Sequence, residues 1–153
     1  MKTKQEMFSA GMSLAGTITT VILASAVHFS EYGYRALIVG LVIIAVLSGL
    51  FFFQRRTSGK VPLVFYGFLS TLIVAGFGIV NGFWNHAFKV FLFYLHNGGL
   101  PPMLSKLFLT PRIGSFVFES LGIGTFITSM LAAIYTYKYI RDNVRETNHD
   151  GLD

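Results

Sequence analysis

Four long apolar stretches separate the few charged residues of this 153-residue chain, and they limit its possible folds more than any other feature. A helix needs about 20 apolar residues to cross roughly 30 Å of hydrocarbon, and each stretch reaches that length. Open strands would leave backbone groups unpaired in lipid, so helices are predicted for all four stretches. The predicted spans cover residues 7–29, 36–53, 61–84 and 113–140.

The composition agrees with a chain whose natural solvent is lipid. Hydrophobic residues make up 53% of the chain and charged residues only 12%, with a mean hydropathy of +0.61. A soluble domain of this size needs more polar surface. The predicted fold class is therefore an all-α integral membrane protein, a four-transmembrane-helix bundle that forms one domain over residues 1–153.

The Lys and Arg residues flank the apolar stretches, which predicts an orientation. They do not form the single basic patch that nucleic-acid binding requires, despite a net charge of +5. One side of the predicted bundle has eight of them: Lys2, Lys4, Arg55, Arg56, Lys60, Lys138, Arg141 and Arg145. The other side has four: Arg35, Lys89, Lys106 and Arg112. The positive-inside rule then predicts an inner (plasma) membrane protein of bacterial type with both termini in the cytoplasm.

The first apolar stretch also has features of a secretory signal. Lys2 and Lys4 precede the apolar run, and Ala24-Ser25-Ala26 has the small residues of a cleavage site. The run is long for a signal, and we interpret it as a retained span.

The segment between the third and fourth stretches is predicted to form an amphipathic cap on the outer face. One helix over residues 61–96 would be about 54 Å long, which exceeds the bilayer core, so a bend near Asn81 and Gly82 is expected. Asn85, Lys89 and His96 share one helical stripe among aromatic and aliphatic residues. This pattern predicts a short interfacial helix within residues 85–110.

Small residues recur every fourth position in three of the four stretches. They are Ser9, Ser13 and Thr17 in the first, Gly78 and Gly82 in the third, and Ser120, Gly124, Thr128 and Ala132 in the fourth. Such ridges let membrane helices approach closely. They predict a close bundle, and they leave open whether the ridges meet within the chain, in a homo-oligomer or in a larger membrane complex.

Five ionisable residues are predicted to lie near the outer face: His28, Glu31, His86, His96 and Glu119. Glu119 lies inside a span, where an acid is costly and usually functional. His28 and Glu31 are three residues apart and share one helical face. Imidazole and carboxylate groups are suitable ligands for zinc, copper or iron, and the chain has no cysteine to supply a thiolate. All five residues are therefore candidate metal ligands.

Haem is the alternative cofactor. Two histidines on facing helices at one level provide bis-imidazole ligation, and His28 with His86 meets that requirement. No phosphate-binding loop, dinucleotide-binding motif, zinc-protease motif or hydrolase elbow is present in the sequence, which argues against nucleotide chemistry and hydrolysis.

The sequence thus predicts a small membrane protein that binds a transition metal or haem at the outer face, in a redox or metal-handling system. Two other functions remain open. One is an accessory subunit of a larger membrane complex, and the other is a small proton-coupled carrier that works as an oligomer with Glu119 as the proton site. Whether the protein is an enzyme also stays open.

Overall fold

A computed structural model describes residues 4–57, 60–88, 91 and 115–149, without the side chains of residues 30–31, 60–61, 115–116 and 145–149. Helices account for nearly all of this part of the chain. They are α1 (Lys4–Tyr32), α2 (Tyr34–Thr57), α3 (Lys60–Ile73), a π-helical segment (Val74–Ala87) and α4 (Ser115–His149). The π-helical segment continues α3 directly, so the two form one long third helix. The all-helical prediction is confirmed for the described residues.

A single glycine reverses the chain between α1 and α2. Gly33 has a positive φ of 59°, a conformation that costs glycine little because it has no Cβ. Its N–H donates to the carbonyl of Phe29 at 2.9 Å, and its own carbonyl accepts from the N–H of Ala36 at 3.1 Å. The turn therefore closes α1 and starts α2 without a loop.

The third helix changes from α to π hydrogen bonding half-way along its length. At its end the N–H of Phe88 donates to the carbonyl of Phe83, five residues earlier. π-helical hydrogen bonding is rare in proteins overall, and where it occurs it is often found at a functional site. The predicted bend at Asn81 and Gly82 is replaced by continuous helical hydrogen bonding through both residues, up to Ala87.

The four long helices run alternately up and down: α1 turns back into α2 at Gly33, and along the third helix Gly67 faces Ile140 of α4 while Gly82 faces Phe126. The most extensive contact is that of α1 with α4. Small residues allow this contact: a Cβ added at Gly16 would lie 3.1 Å from the Cα of Ala132. At the interface of the π-helical segment with α4, a Cβ at Gly78 would lie 2.0 Å from Oγ of Ser129. Small residues of three spans thus pack within the chain, as membrane helices require for close approach. Ser120, in the ridge predicted for the fourth span, is exposed instead.

The outward surface of the bundle is strongly apolar. Large exposed side chains include Ile38, Leu41, Val42, Phe52, Val64 and Phe68. Such a continuous apolar surface is unusual for a soluble monomer. Within the described residues, four helical stretches are long and apolar enough to cross a membrane: Lys4–Phe29, Tyr34–Thr57, Pro62–Ala87 and Val117–Val144. These features indicate a multi-pass membrane protein.

The predicted cap can be compared with the structure only at its start. Residues 85–87 belong to the third helix, which ends three residues beyond the predicted boundary at residue 84. Residues 89–90 and 92–110 of the predicted interfacial segment lie outside the described residues.

Candidate functional site

The two ends of the bundle differ in their buried polar residues. We call them the Gly33 end, where α1 turns into α2, and the Arg55 end, where α1 begins and α2 finishes. The third helix finishes at the Gly33 end and α4 begins there, because the helices alternate in direction. Among the described residues, the buried acid (Glu119) and the buried imidazole (His86) both lie toward the Gly33 end.

His86 and Glu119 form a buried pair between the third helix and α4. Nδ1 of His86 lies 3.0 Å from Oε2 of Glu119. Their side chains are only 3% and 7% exposed. His86 comes from the last turn of the π-helical segment and Glu119 from the first turns of α4. Hydrogen bonds of this kind are strong where little water competes. We call this pair the His–Glu site.

A glycine makes room for the imidazole of this site. A Cβ added at Gly122 would lie 2.1 Å from Cγ of His86, so the imidazole packs directly against the bare backbone of α4. The edge of the Phe118 ring contacts the same imidazole, with ring centroids 4.8 Å apart at 64°. Gly122, Phe118 and Glu119 therefore fix the position of the imidazole from one helical face.

The second carboxylate oxygen of Glu119 is available for another interaction. Oε1 is buried, and no group in the described part of the chain forms a hydrogen bond with it. Buried polar atoms in proteins are nearly always hydrogen-bonded, so an exception is informative. In the His–Glu site, Oε2 of Glu119 is hydrogen-bonded to His86, whereas Oε1 can accept a proton or a ligand.

His28 is held separately, on the face of α1 that meets the third helix. Its Nε2 lies 3.2 Å from Nδ2 of Asn81, and the rings of Tyr32 and Phe77 pack near the imidazole at 5.9 and 6.3 Å. Asn81 and His86 are five residues apart in the π-helical segment, the spacing of one π hydrogen bond, and both are buried. The π-helical segment therefore directs both polar contacts, Asn81 with His28 and His86 with Glu119, toward the inside of the bundle.

The structure brings two of the five predicted ligands into direct contact, His86 and Glu119. His28 is near the same end but bonds to Asn81. Glu31 lies on α1 with its side chain outside the described part, and His96 lies wholly outside it. Among the described residues, no group of three His, Asp or Glu side chains is arranged to hold a metal ion. The metal and haem sites stay predictions.

Sequence reasoning missed two residues that shape this region. Asn81 was expected only at a bend, yet it bonds to His28. Gly122 was not singled out at all. Its position three residues after Glu119 places both on one helical face, and this spacing is the pattern in the sequence that could have indicated its role.

A second buried polar group lies toward the Arg55 end, and the sequence analysis did not predict it. Oγ of Ser13 lies 2.7 Å from Oη of Tyr66 and 2.6 Å from Oγ1 of Thr136. Nε2 of Gln54 donates to Oη of Tyr139. The rings of Tyr66 and Tyr139 meet edge to face at 6.1 Å and join the two hydrogen-bonded groups. We call these five residues the tyrosine cluster.

Comparison of the chain with protein-family models, curated proteins and solved structures found no match. Functional inference for this protein therefore rests on the geometry of its own residues.

Proposed function

We propose that this protein is a proton-coupled membrane carrier in which the His–Glu site binds and releases the proton. The observation that carries the proposal is the buried contact of His86 with Glu119, together with the second oxygen of Glu119, which has no hydrogen-bond partner among the described residues. An ionisable pair inside a membrane protein is costly to keep and generally has a functional role.

The charge states of the pair explain why burial would control its proton. The pair is neutral overall either as imidazole with carboxylic acid or as imidazolium with carboxylate. Loss of one proton leaves a net charge of −1, and gain of one leaves +1. Burial disfavours both charged states, and contact with water stabilises them. A conformational change that wets the site on one side would therefore let it exchange a proton on that side.

The hydroxyl groups between the two ends are bonded mainly to the helix backbone. Thr20, Thr125 and Ser129 donate to carbonyls of their own helices at 2.9, 2.8 and 2.7 Å. The hydroxyl oxygens of Thr20 and Thr128 also lie 3.1 Å apart and join α1 to α4. Hydroxyl protons held by backbone carbonyls favour a carrier over an open proton channel, because they are not donated to a neighbouring side chain.

Other features of the function stay proposals from the sequence. The charge pattern favours an inner-membrane protein with the Arg55 end in the cytoplasm and the His–Glu site near the outer face. Assembly as an oligomer or within a larger complex, a role as an accessory subunit, and binding of a metal or haem are the remaining sequence-based hypotheses.

Infrared spectroscopy tests whether Glu119 changes its protonation. If Glu119 takes up the proton, difference spectra of the reconstituted protein between acidic and alkaline buffers contain a carbonyl band of a protonated carboxylic acid. Glu119→Gln should remove the band while the hydrogen bond to His86 is kept, because the amide has nearly the same shape. The matched control is Glu6→Gln, which changes a carboxylate at the opposite end of the bundle.

Proteoliposomes test the transport step. A pH-sensitive dye inside the vesicles reports proton entry after a potassium diffusion potential is imposed. Because no co-transported solute is supplied, we expect slow, uncoupled proton entry through the cycle of the carrier, which Glu119→Gln abolishes and Glu6→Gln leaves intact. Proton entry that survives Glu119→Gln, in a variant shown to be folded by its circular dichroism and gel-filtration profile, would refute the proposal.

A further inference from the structure

We infer that a groove between α1 and α2 at the Gly33 end binds one anionic phospholipid, with the lipid phosphate on the guanidinium of Arg35. The inference is independent of the proposed proton chemistry, because it concerns a different surface of the bundle. It would stand if the His–Glu site carried no proton.

The groove has the size and lining of a site for an apolar chain. Its volume is about 310 Å³, at the lower end of the range of about 300 to 1,000 Å³ that is usual for ligand sites. Its lining residues are Ser25, His28, Tyr32, Arg35, Ala36, Val39, Gly40, Ile43 and Phe77. The surface that these residues present to the groove is predominantly apolar, so a hydrocarbon chain gains by lying against it.

Charge complementarity selects an anionic head group. Arg35, an exposed member of the lining, places a permanent positive charge beside the groove, and no Asp or Glu is among the lining residues that the structure describes. Among the side chains that the structure describes, Arg35 forms no ion pair. The planar guanidinium can donate two parallel hydrogen bonds to a phosphate, which is why arginine often recognises this group.

The depth of the groove matches one leaflet of a bilayer. Arg35 and Ile43 are eight residues apart, which is about 12 Å along α2. Half of the hydrocarbon core is roughly 15 Å thick. Tyr32 and Tyr34 are exposed beside Arg35, and tyrosine is enriched where hydrocarbon meets the head groups. Arg35 thus lies at the level of the phosphates while Val39 and Ile43 lie at the level of the acyl chain.

The close contact of α1 with α2 closes the groove on its inner side. A Cβ added at Gly40 would lie 2.1 Å from Oγ of Ser25, so the two helices nearly touch there. An acyl chain therefore lies along the outside of this contact and does not pass between the helices. Val39 of the lining is 56% exposed, so the groove opens at the outward surface of the bundle, from which a phospholipid can enter without leaving its leaflet.

Lipid retention in native mass spectrometry tests the head-group contact. The protein is reconstituted with equal amounts of phosphatidylglycerol and phosphatidylcholine, transferred to detergent and examined for bound lipid. We expect one retained phosphatidylglycerol, and about a tenfold loss of that retention in Arg35→Gln. Arg56→Gln is the charge-matched control, since Arg56 is an exposed arginine of the same helix at the Arg55 end. It should keep the lipid.

A second pair of variants tests the groove itself without changing charge. Ala36→Phe places a ring in the groove and should displace the lipid, whereas Ala45→Phe adds the same ring to an exposed position of α2 outside the lining. Equal retention of the two lipids by the unmodified protein would overturn the inference. Retention of a neutral amphiphile instead, or of phosphatidylglycerol by Arg35→Gln or Ala36→Phe at the original level, would overturn it as well.

Discussion

The tyrosine cluster and the His–Glu site are both buried and polar, but they differ in how completely their groups are paired. In the tyrosine cluster each of the five side chains has a hydrogen-bond partner within the cluster, and none carries a carboxyl or an imidazole group. In the His–Glu site both groups are ionisable, and Oε1 of Glu119 has no hydrogen-bond partner in the described part of the chain.

This difference separates a structural role from a functional one. Paired hydroxyl and amide groups stabilise helix packing modestly and specify which helix faces meet. A buried acid with an unused oxygen does not improve packing, because its desolvation is only partly offset by one hydrogen bond. Substitutions in the two regions should therefore differ in their effects on stability and on proton uptake.

The largest effect is expected from Gly122→Ala, which tests the packing behind the His–Glu site. The new methyl group would collide with the imidazole of His86 close to its root, where the side chain cannot yield. Gly124→Ala is the control on the same helix, since its methyl group would lie 3.4 Å from Cδ1 of Leu23, an ordinary contact. We expect Gly122→Ala to lower the free energy of unfolding by about 2 kcal/mol more than Gly124→Ala.

Denaturant titration of both variants in detergent micelles provides this measurement. Equal stability of the two variants would show that the imidazole has room to move, and that Gly122 does not fix the His–Glu site.

A smaller loss is expected from Tyr139→Phe in the tyrosine cluster. The change removes the acceptor of the buried amide of Gln54 and leaves that donor unsatisfied. We expect a loss of about 1 kcal/mol in the free energy of unfolding, with no change in proton entry into proteoliposomes. Tyr137→Phe, which removes an exposed hydroxyl two residues away, should change neither quantity. Altered proton entry in Tyr139→Phe would give the tyrosine cluster a functional role and remove the contrast.

The smallest effect is expected from Asn81→Ala, which removes the hydrogen bond between His28 and the third helix. Asn81 is only 8% exposed and bonds to His28, whereas Asn85 of the same segment is exposed and serves as the control position. We expect Asn81→Ala to cost about 0.6 kcal/mol, the usual value for a hydrogen bond between membrane helices, and Asn85→Ala to cost less. The infrared band of Glu119 should persist in both variants, and its loss in Asn81→Ala would add His28 to the proton site.

The fold class followed from the sequence because length and polarity alone limit what can cross a bilayer. Four apolar stretches predicted four long helices, and the structure has them with boundaries a few residues away. The ridge of Ser9, Ser13 and Thr17 is buried as its spacing predicted. The π hydrogen bonding of the third helix had no pattern to predict it, since the prediction assumed the regular period of an α-helix.

The candidate site could be predicted only in part. His28, His86 and Glu119 were singled out because ionisable groups are rare and costly in such a chain. The contact between His86 and Glu119 could not be predicted. The two residues are 33 positions apart, and they meet only when the two helices that carry them pack in one particular register. The contact of Asn81 with His28 and that of Gly122 with His86 also depend on helix register, so neither could be predicted. Asn and Gly are not unusual in membrane helices, so their presence alone gave no signal.

The sequence by itself therefore determined the solvent of this protein, the number and length of its apolar helices, and the scarcity of groups able to carry charge. Only the tertiary structure decided which of those groups share a contact. The physical reason is that hydrophobicity is a property of each residue, whereas a hydrogen bond depends on the relative position of two helices to within a fraction of an ångström. Close contacts at Gly78 and Gly122 fix that position.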